Sequence, residues 1–179
     1  MVDRISLIVL VLVAAIVITL PVTAGAANLL ANSNFEVKDG DNEQNAADWV
    51  ESGAAGREEW SGRQSGVHGM ALRCWEGAGT GETYQEVKTK VGTEYTFKIW
   101  ACRDAGSVSG DFYIKLAWYS GEKLLSEDIQ KITLTDAWAQ YTITAKAHPK
   151  ADKVRVAFGS TSVTLTGKFA EAEFTGIMR

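Results

Sequence analysis

Aromatic side chains are the residues of this 179-residue chain whose type and spacing could do chemistry, and that chemistry is non-covalent. The chain holds six Trp, five Tyr and six Phe. Trp and Tyr combine a large apolar face with one polar end, which suits them to binding surfaces as well as to cores. Four of these rings fall on the outer phase of predicted strands, and a fifth lies in a predicted loop. The strand residues are Trp75, Tyr84, Trp100 and Tyr113, and the loop residue is Trp60.

Charged side chains share the outer phase with the four strand aromatics. A flat ring with guanidinium, ammonium or carboxylate groups beside it suits a ligand that has an apolar face and outward hydroxyl groups. The spacing therefore predicts a binding surface. The charged residues are Arg73, Lys98, Glu86 and Lys115, each two positions from one of the rings.

A purely structural interpretation competes with this one. Trp100 can be covered by a loop, and Trp60 can pack beneath its own long loop. Charged residues on the outer phase of a strand often only solvate the sheet and protect its edges. Phase alone leaves both interpretations open.

Residues suited to catalysis are sparse. The two histidines, His68 and His148, lie far apart in the sequence, and no Gly-x-Ser-x-Gly elbow or phosphate-cradling loop occurs. Glycoside hydrolysis needs two carboxylates across a cleft, but acids such as Glu171 and Glu173 are commonplace on strands. We therefore predict that the protein is not an enzyme.

The N-terminus has the features of a secretory signal peptide. Arg4 precedes an apolar run over residues 5–20, and the small residues 24–26 follow it. We predict a signal peptide over residues 1–26 and a secreted domain, extracellular or periplasmic. The alternative is an uncleaved anchor, since the run approaches the length of a membrane span. Only in that case would the membrane be a partner.

Residues 27–179 are predicted to form a single all-β sandwich domain. Three segments show the period-two alternation that marks a half-buried strand. Shorter strands are expected at 71–75, 84–89, 131–134, 140–146 and 169–177, whereas 39–66 is predicted to be a polar loop. The alternating apolar sets are Tyr95, Phe97, Ile99 and Ala101; Phe112, Ile114, Leu116 and Trp118; and Val154, Val156 and Phe158.

Three further properties limit the interpretation. The formal net charge of −4 argues against nucleic acid as a partner, because phosphate binding needs a basic face. Trp49, Trp118 and Trp138 are predicted to be core residues. Export would permit a disulfide between Cys74 and Cys102, although two separate thiols remain an alternative.

An ordered set of motifs resembles a known superfamily. Residues 28–36, NLLANSNFE, resemble the N-terminal signature of galactose-binding-like jelly rolls, and more narrowly of carbohydrate-binding modules of families 4, 9, 16 and 22. The likeness continues in order over nearly all of residues 27–179. Its later parts are Trp49, His68-Gly69-Met70-Ala71-Leu72, Gln85-x-Val87, Gly92-Thr93-x-Tyr95-x-Phe97-x-Ile99-Trp100, Leu116-Ala117-Trp118-Tyr119, and Trp138-x-x-Tyr141.

The resemblance implies a non-catalytic domain that binds a glycan through surface aromatics. It also implies a structural calcium ion held by Glu36 and a C-terminal acid, for which Glu171 is the candidate. One of the two adjacent acids expected there is replaced by Ala170. The alternative function is a structural or adhesive interaction module of the cell envelope, with possible self-association.

Overall fold

The computed structural model describes residues 26–72, 80–104, 111–162 and 166–178, and these fold almost entirely into β-strands. The predicted signal peptide lies outside these residues except for Ala26. No helix in the described part of the chain is long and apolar enough to span a membrane. The strands are β1 (Lys38–Asp39), β2 (Asn42–Ala46), β3 (Val50–Gly53), β4 (Ala55–Glu58), β5 (Gly69–Leu72), β6 (Gly81–Lys88), β7 (Thr93–Arg103), β8 (Asp111–Ser120), β9 (Lys123–Ile132), β10 (Ala139–Lys146), β11 (Lys153–Ser162) and β12 (Gly167–Met178).

Two five-stranded sheets form a jelly-roll sandwich, which confirms the predicted fold class. The strand order is β3-β6-β11-β8-β9 in one sheet, here called the front sheet, and β10-β7-β12-β5-β4 in the other, the back sheet. Neighbouring strands run antiparallel in both. A short hairpin of β1 and β2 forms a separate two-stranded sheet.

The inner phases of both sheets form the core, as the alternation predicts. The inward residues of β7, β8 and β11 are all buried, and aromatic rings from the two sheets meet between them. Phe158 of the front sheet stacks on Phe169 of the back sheet, with ring centroids 4.6 Å apart. Burying such rings is the main favourable contribution to folding.

Two of the three tryptophans predicted for the core are buried, and the third is not. Trp49 and Trp118 are buried, and the Trp118 indole N–H donates to Asp128 Oδ2 at 2.7 Å. The prediction for Trp138 is wrong, because that residue is only half-buried. It lies in the turn before β10, where strand phase does not determine which side chains enter the core.

Two strand predictions are also wrong. Residues 39–66 are not a loop, since they contain β2, β3, β4 and a short 3₁₀-helix at Glu59–Ser61. The strand expected at 131–134 is the longer β9, of which only Ile132 is buried. Exposed edge strands need no alternation of apolar and polar residues, so they leave little periodic signal.

The N-terminal signature residues fasten the chain to both sheets. Asn28 donates to the carbonyl of Ala172 and accepts from the backbone N–H of Phe174, so it extends along β12. The buried amide of Gln85 exchanges two hydrogen bonds with the backbone of Ala31. Gln85 thus satisfies backbone groups of the N-terminal segment, which joins neither sheet, and Asn28 satisfies backbone groups of β12.

Candidate functional site

Three tyrosines lie on the outer surface of the front sheet, which we call the tyrosine face. Tyr84 projects from β6, and Tyr113 and Tyr119 project from β8. All three are half-buried, because their rings lie among charged side chains of the strands between and beside them. The arrangement follows from phase, since the alternate residues of β6 and β8 fill the core.

One row of paired residues crosses the whole front sheet through this face. Four strand-to-strand steps of about 4.8 Å make the row roughly 19 Å long. Tyr84 lies near one end of the row, and Lys115, which neighbours Tyr113, lies near the other end. From β3 to β9 the row is Val50, Tyr84, Ala157, Lys115 and Ile129.

Tyr113 lies flat across the sheet, directly above Gly159 of β11. A Cβ atom at Gly159 would be 2.4 Å from Tyr113 Oη and 2.6 Å from Tyr113 Cζ, so only glycine leaves room for the ring. The hydroxyl donates to Glu82 Oε2 at 2.5 Å. Burial, and then the Glu82 carboxylate, raise the pKa of Tyr113 above its ordinary value, so it remains a neutral donor. A ring held this way lies with one face against the sheet, and Lys115 Nζ is 5.5 Å from its centroid. A ligand on this ring would therefore also meet that ammonium group.

The guanidinium of Arg155 lies between the rings of the other two tyrosines, Tyr84 and Tyr119. Its guanidinium carbon is 4.7 Å from the Tyr84 ring centroid and 4.5 Å from the Tyr119 centroid, within the range of cation–π attraction. Arg155 Nε also donates to Glu86 at 2.8 Å, and Lys153 Nζ donates to the other oxygen of that carboxylate at 2.9 Å. Partial burial acts to raise the pKa of Glu86, but these two bonds outweigh it and hold that pKa below its ordinary value.

Open clefts border the tyrosine face at both margins. One of about 520 Å³ lies beside Tyr84, between Asp48, Val50 and Glu86. The other, of about 270 Å³, is largely apolar and lies beside Tyr113 and Ile129. The row therefore opens onto a cleft at each end.

The predicted binding residues do not converge on this one surface. Tyr84 and Tyr113 share the front sheet, but Trp100 and Lys98 project from β7 on the outer surface of the back sheet. Trp60 belongs to the 3₁₀-helix that packs over β5 and β12 on that side. Phase correctly sorted inner from outer residues, but it does not specify which sheet a strand joins.

The two tryptophans on the back sheet carry basic groups on their rings. The Arg63 guanidinium carbon lies 3.8 Å from the Trp100 centroid, and Arg63 also pairs with Glu171. Lys168 Nζ lies 4.4 Å from the Trp60 centroid. Trp60 is still 43% exposed. Basic groups lie against rings on both sheets, so the tyrosine face is distinguished by its paired row between two clefts.

Several predicted residues lie outside the described part of the chain. These are Trp75, Arg73 and Cys74. Cys102 is buried on the outer side of β7, and burial raises the pKa of its thiol to about 11. Its disulfide with Cys74 stays a prediction.

Sequence reasoning missed several residues of the tyrosine face, although the signal was present. Tyr119 has the same phase as Tyr113 on β8, and Arg155 and Lys153 have the outer phase of β11. Their proximity depends on the pairing of β11 with both β6 and β8. That pairing is non-local and cannot be derived from the alternation within one strand.

The residues present do not fit the calcium site that the resemblance implies. The Glu36 carboxylate accepts hydrogen bonds from the backbone N–H and Nδ1 of His68, at 2.7 and 3.0 Å. Glu171 is engaged by Arg63. The buried Arg57 side chain occupies carbonyl oxygens of the Glu36 turn. Among the described residues, no group of three or more His, Cys, Asp or Glu is placed to hold a metal.

Comparison with solved structures identifies the same fold in carbohydrate-binding modules. The CBM22-1 xylan-binding domain of Xyn10C from Paenibacillus barcinonensis is 13% identical, with a TM-score of 0.65 over 86% of this chain and 97% of that one. TmCBM61, solved with β-1,4-galactotriose, is 16% identical, with a TM-score of 0.59 over 83% of this chain and 98% of that one.

An enzyme contains a similar sandwich. The enzymatically active domain of tailspike protein 4 from bacteriophage CBA120 is 11% identical, with a TM-score of 0.66 over 84% of this chain. The match spans only 21% of the tailspike chain. No protein-family model matches the sequence, and no curated protein matches it. At these identities the likenesses establish the jelly-roll fold.

Proposed function

We propose that the protein is a secreted, non-catalytic carbohydrate-binding module whose tyrosine face binds an oligo- or polysaccharide across the front sheet. One observation carries the proposal: a row of paired residues that includes Tyr84 and passes beside Tyr113 crosses the sheet between two open clefts. A sugar chain presents apolar C–H faces and outward hydroxyls. The tyrosine rings would stack on the apolar faces of the sugar, and the charged groups would hydrogen-bond to its hydroxyls.

The charged groups of the face can serve as hydroxyl partners without being displaced. Glu82 is held by Lys115 at 2.6 Å and by the Tyr113 hydroxyl. Glu86 is held by Arg155 and Lys153. Each carboxylate has lone pairs left over, so it can accept from a sugar hydroxyl while it keeps its partners.

The same pairing supports binding rather than hydrolysis. A carboxylic acid that protonates a glycosidic oxygen needs a raised pKa. The pKa of Glu86 is lowered by its basic neighbours, despite partial burial. Export through the predicted signal peptide would place the domain outside the cytoplasm, where it would meet extracellular glycans.

The test is affinity gel electrophoresis and isothermal titration calorimetry with soluble polysaccharides. Xylan and β-1,4-linked galactans are the first probes, because similar folds bind xylan and were solved with β-1,4-galactotriose. We expect Tyr84→Ala and Tyr113→Ala each to weaken binding at least tenfold. Tyr113→Phe keeps the aromatic ring, so it should lose less affinity than Tyr113→Ala.

Trp100→Ala is the matched control, since it removes an aromatic ring from the opposite sheet. It should bind as tightly as the wild type. If Trp100→Ala abolishes binding and the tyrosine variants do not, the ligand lies on the back sheet and the assigned face is wrong. If no polysaccharide or glycan in a broad array binds, the carbohydrate function is wrong.

A further inference from the structure

A buried arginine stands among backbone carbonyls at the edge of the sandwich. Arg57 is only 4% exposed, although β4 is an edge strand of the back sheet. The short hairpin of β1 and β2 lies beside it. Its Nε donates to the Phe35 carbonyl at 2.6 Å and its Nη2 to the Glu36 carbonyl at 2.8 Å. Its Nη1 donates to the Glu43 carbonyl at 2.9 Å. One cation thus joins β4 to β2 and to the N-terminal signature.

The oxygen atoms around this guanidinium are those that a hard metal ion would use. Calcium takes six to eight oxygen ligands from carbonyls and carboxylates. Three carbonyls converge here, and the Glu43 carboxylate lies 3.6 Å from Arg57 Nη1. The Glu36 carboxylate belongs to the same turn but is directed to His68.

The backbone at Phe35 explains why a buried donor is needed there. Phe35 has φ of +62°, in the left-handed region that bulky residues rarely adopt. Its ring is fully buried against Trp49 and Phe158. The carbonyl of this turn would be an unsatisfied buried acceptor without Arg57, because the ring cannot leave the core to relax the turn.

We propose that the Arg57 guanidinium is the built-in structural cation of this domain, so that the fold does not depend on calcium. A metal ion beside this buried positive charge would be repelled, and its oxygen ligands are already engaged. Removal of the guanidinium would leave a pocket of carbonyl and carboxylate oxygens. That pocket is a calcium site which the wild-type chain keeps filled with its own side chain.

The first experiment uses the wild-type domain. Its thermal unfolding midpoint should be the same in excess EDTA and in millimolar calcium, and calorimetry should detect no calcium binding. A midpoint that falls with EDTA or rises with calcium would overturn the proposal.

The second experiment uses Arg57→Ala. Removal of the guanidinium leaves three carbonyl acceptors without their donor, so the midpoint should fall by about 10 °C. Calcium should raise the midpoint of this variant in a concentration-dependent way, and magnesium should do so less, because it demands a tighter octahedral site. If calcium leaves the midpoint unchanged, the oxygen cluster is not a cation site and the proposal is wrong.

Two further variants separate this explanation from loss of packing. Arg57→Met fills the space with an apolar chain, so it should be destabilised without any rescue by calcium. Arg63→Ala removes an arginine that pairs with Glu171 at the surface. It should show neither the large fall in unfolding midpoint nor the rescue by calcium. If Arg57→Ala is recovered only unfolded, refolding in calcium is measured instead. Recovery of β-structure supports the proposal, and failure to recover contradicts it.

Discussion

The position of Tyr113 above Gly159 makes Gly159→Ala a sharp test of the tyrosine face. The added methyl group would lie 2.4 Å from the tyrosine hydroxyl and 2.8 Å from the carbonyl oxygen of Gly81. Real contacts to a Cβ atom are longer, so the ring must lift away from the sheet. Lifting the ring would break the hydrogen bond from Tyr113 to Glu82.

The cost can be worked out from these contacts. Overpacking of a tight site costs about 1–3 kcal/mol, and a lost hydrogen bond to a charged group costs about 1.5–3 kcal/mol where it is buried. The site is only half-buried, so the lower ends apply. Replacing Gly by Ala stabilises the folded state by about 0.4–1 kcal/mol through the unfolded chain. A net loss of about 2 kcal/mol follows, which lowers the midpoint of a domain this size by roughly 4–8 °C.

The assay is thermal and denaturant unfolding, together with calorimetric titration of the polysaccharide that binds the wild type. We expect Gly159→Ala to lose both stability and affinity. In a Tyr113→Ala background the same substitution should cost at least 1 kcal/mol less, because the ring it displaces is gone. Gly56→Ala on the back sheet is the matched control, since its nearest contact would be an ordinary 3.6 Å. An equal cost for Gly159→Ala in both backgrounds would refute the flat placement of the ring.

Two other predictions concern single titratable groups. Burial acts to raise the pKa of Glu36, but the hydrogen bonds from His68 outweigh it and hold the pKa below 4.5. Stabilisation by Glu36 is therefore complete above pH 4.5 and is lost as the pH falls through the lower folded-state value, so the gap in unfolding free energy between wild type and Glu36→Gln should shrink in acid. A gap that does not change with pH would contradict this. Because burial raises the pKa of Cys102 to about 11, a Cys74→Ser variant should resist iodoacetamide near pH 8 until it unfolds, as mass spectrometry can measure. Equal labelling of native and unfolded protein would show that the thiol is accessible.

Residue alternation predicted the orientation of side chains well where strands are half-buried. It placed Phe97 and Trp118 inside, and Tyr84 and Tyr113 outside, because one face of each of those strands is buried against the other sheet. It failed for β9, which is an exposed edge strand. Chain-local periodicity carries no information where neither face is buried.

The candidate site was harder to predict than the fold. Tyr84 and Trp100 have equivalent outer phases, yet β6 and β7 belong to opposite sheets. Sheet membership depends on hydrogen bonding between strands far apart in sequence, and no pattern within either strand reports it. Arg57 shows the same limit, since its three carbonyl partners come from residues 14 to 22 positions away.

The placement of Arg155 between Tyr84 and Tyr119 has a thermodynamic consequence for recognition. A flexible side chain that becomes ordered on binding loses about 0.5–1.5 kcal/mol of rotational freedom. The guanidinium is already fixed by two rings and a carboxylate before any ligand arrives. Most of that entropy is therefore lost during folding instead. If the tyrosine face binds a glycan as proposed, this preorganised surface would discriminate between sugar chains by the shape they already have in solution, and it would favour stiff glycans over flexible ones.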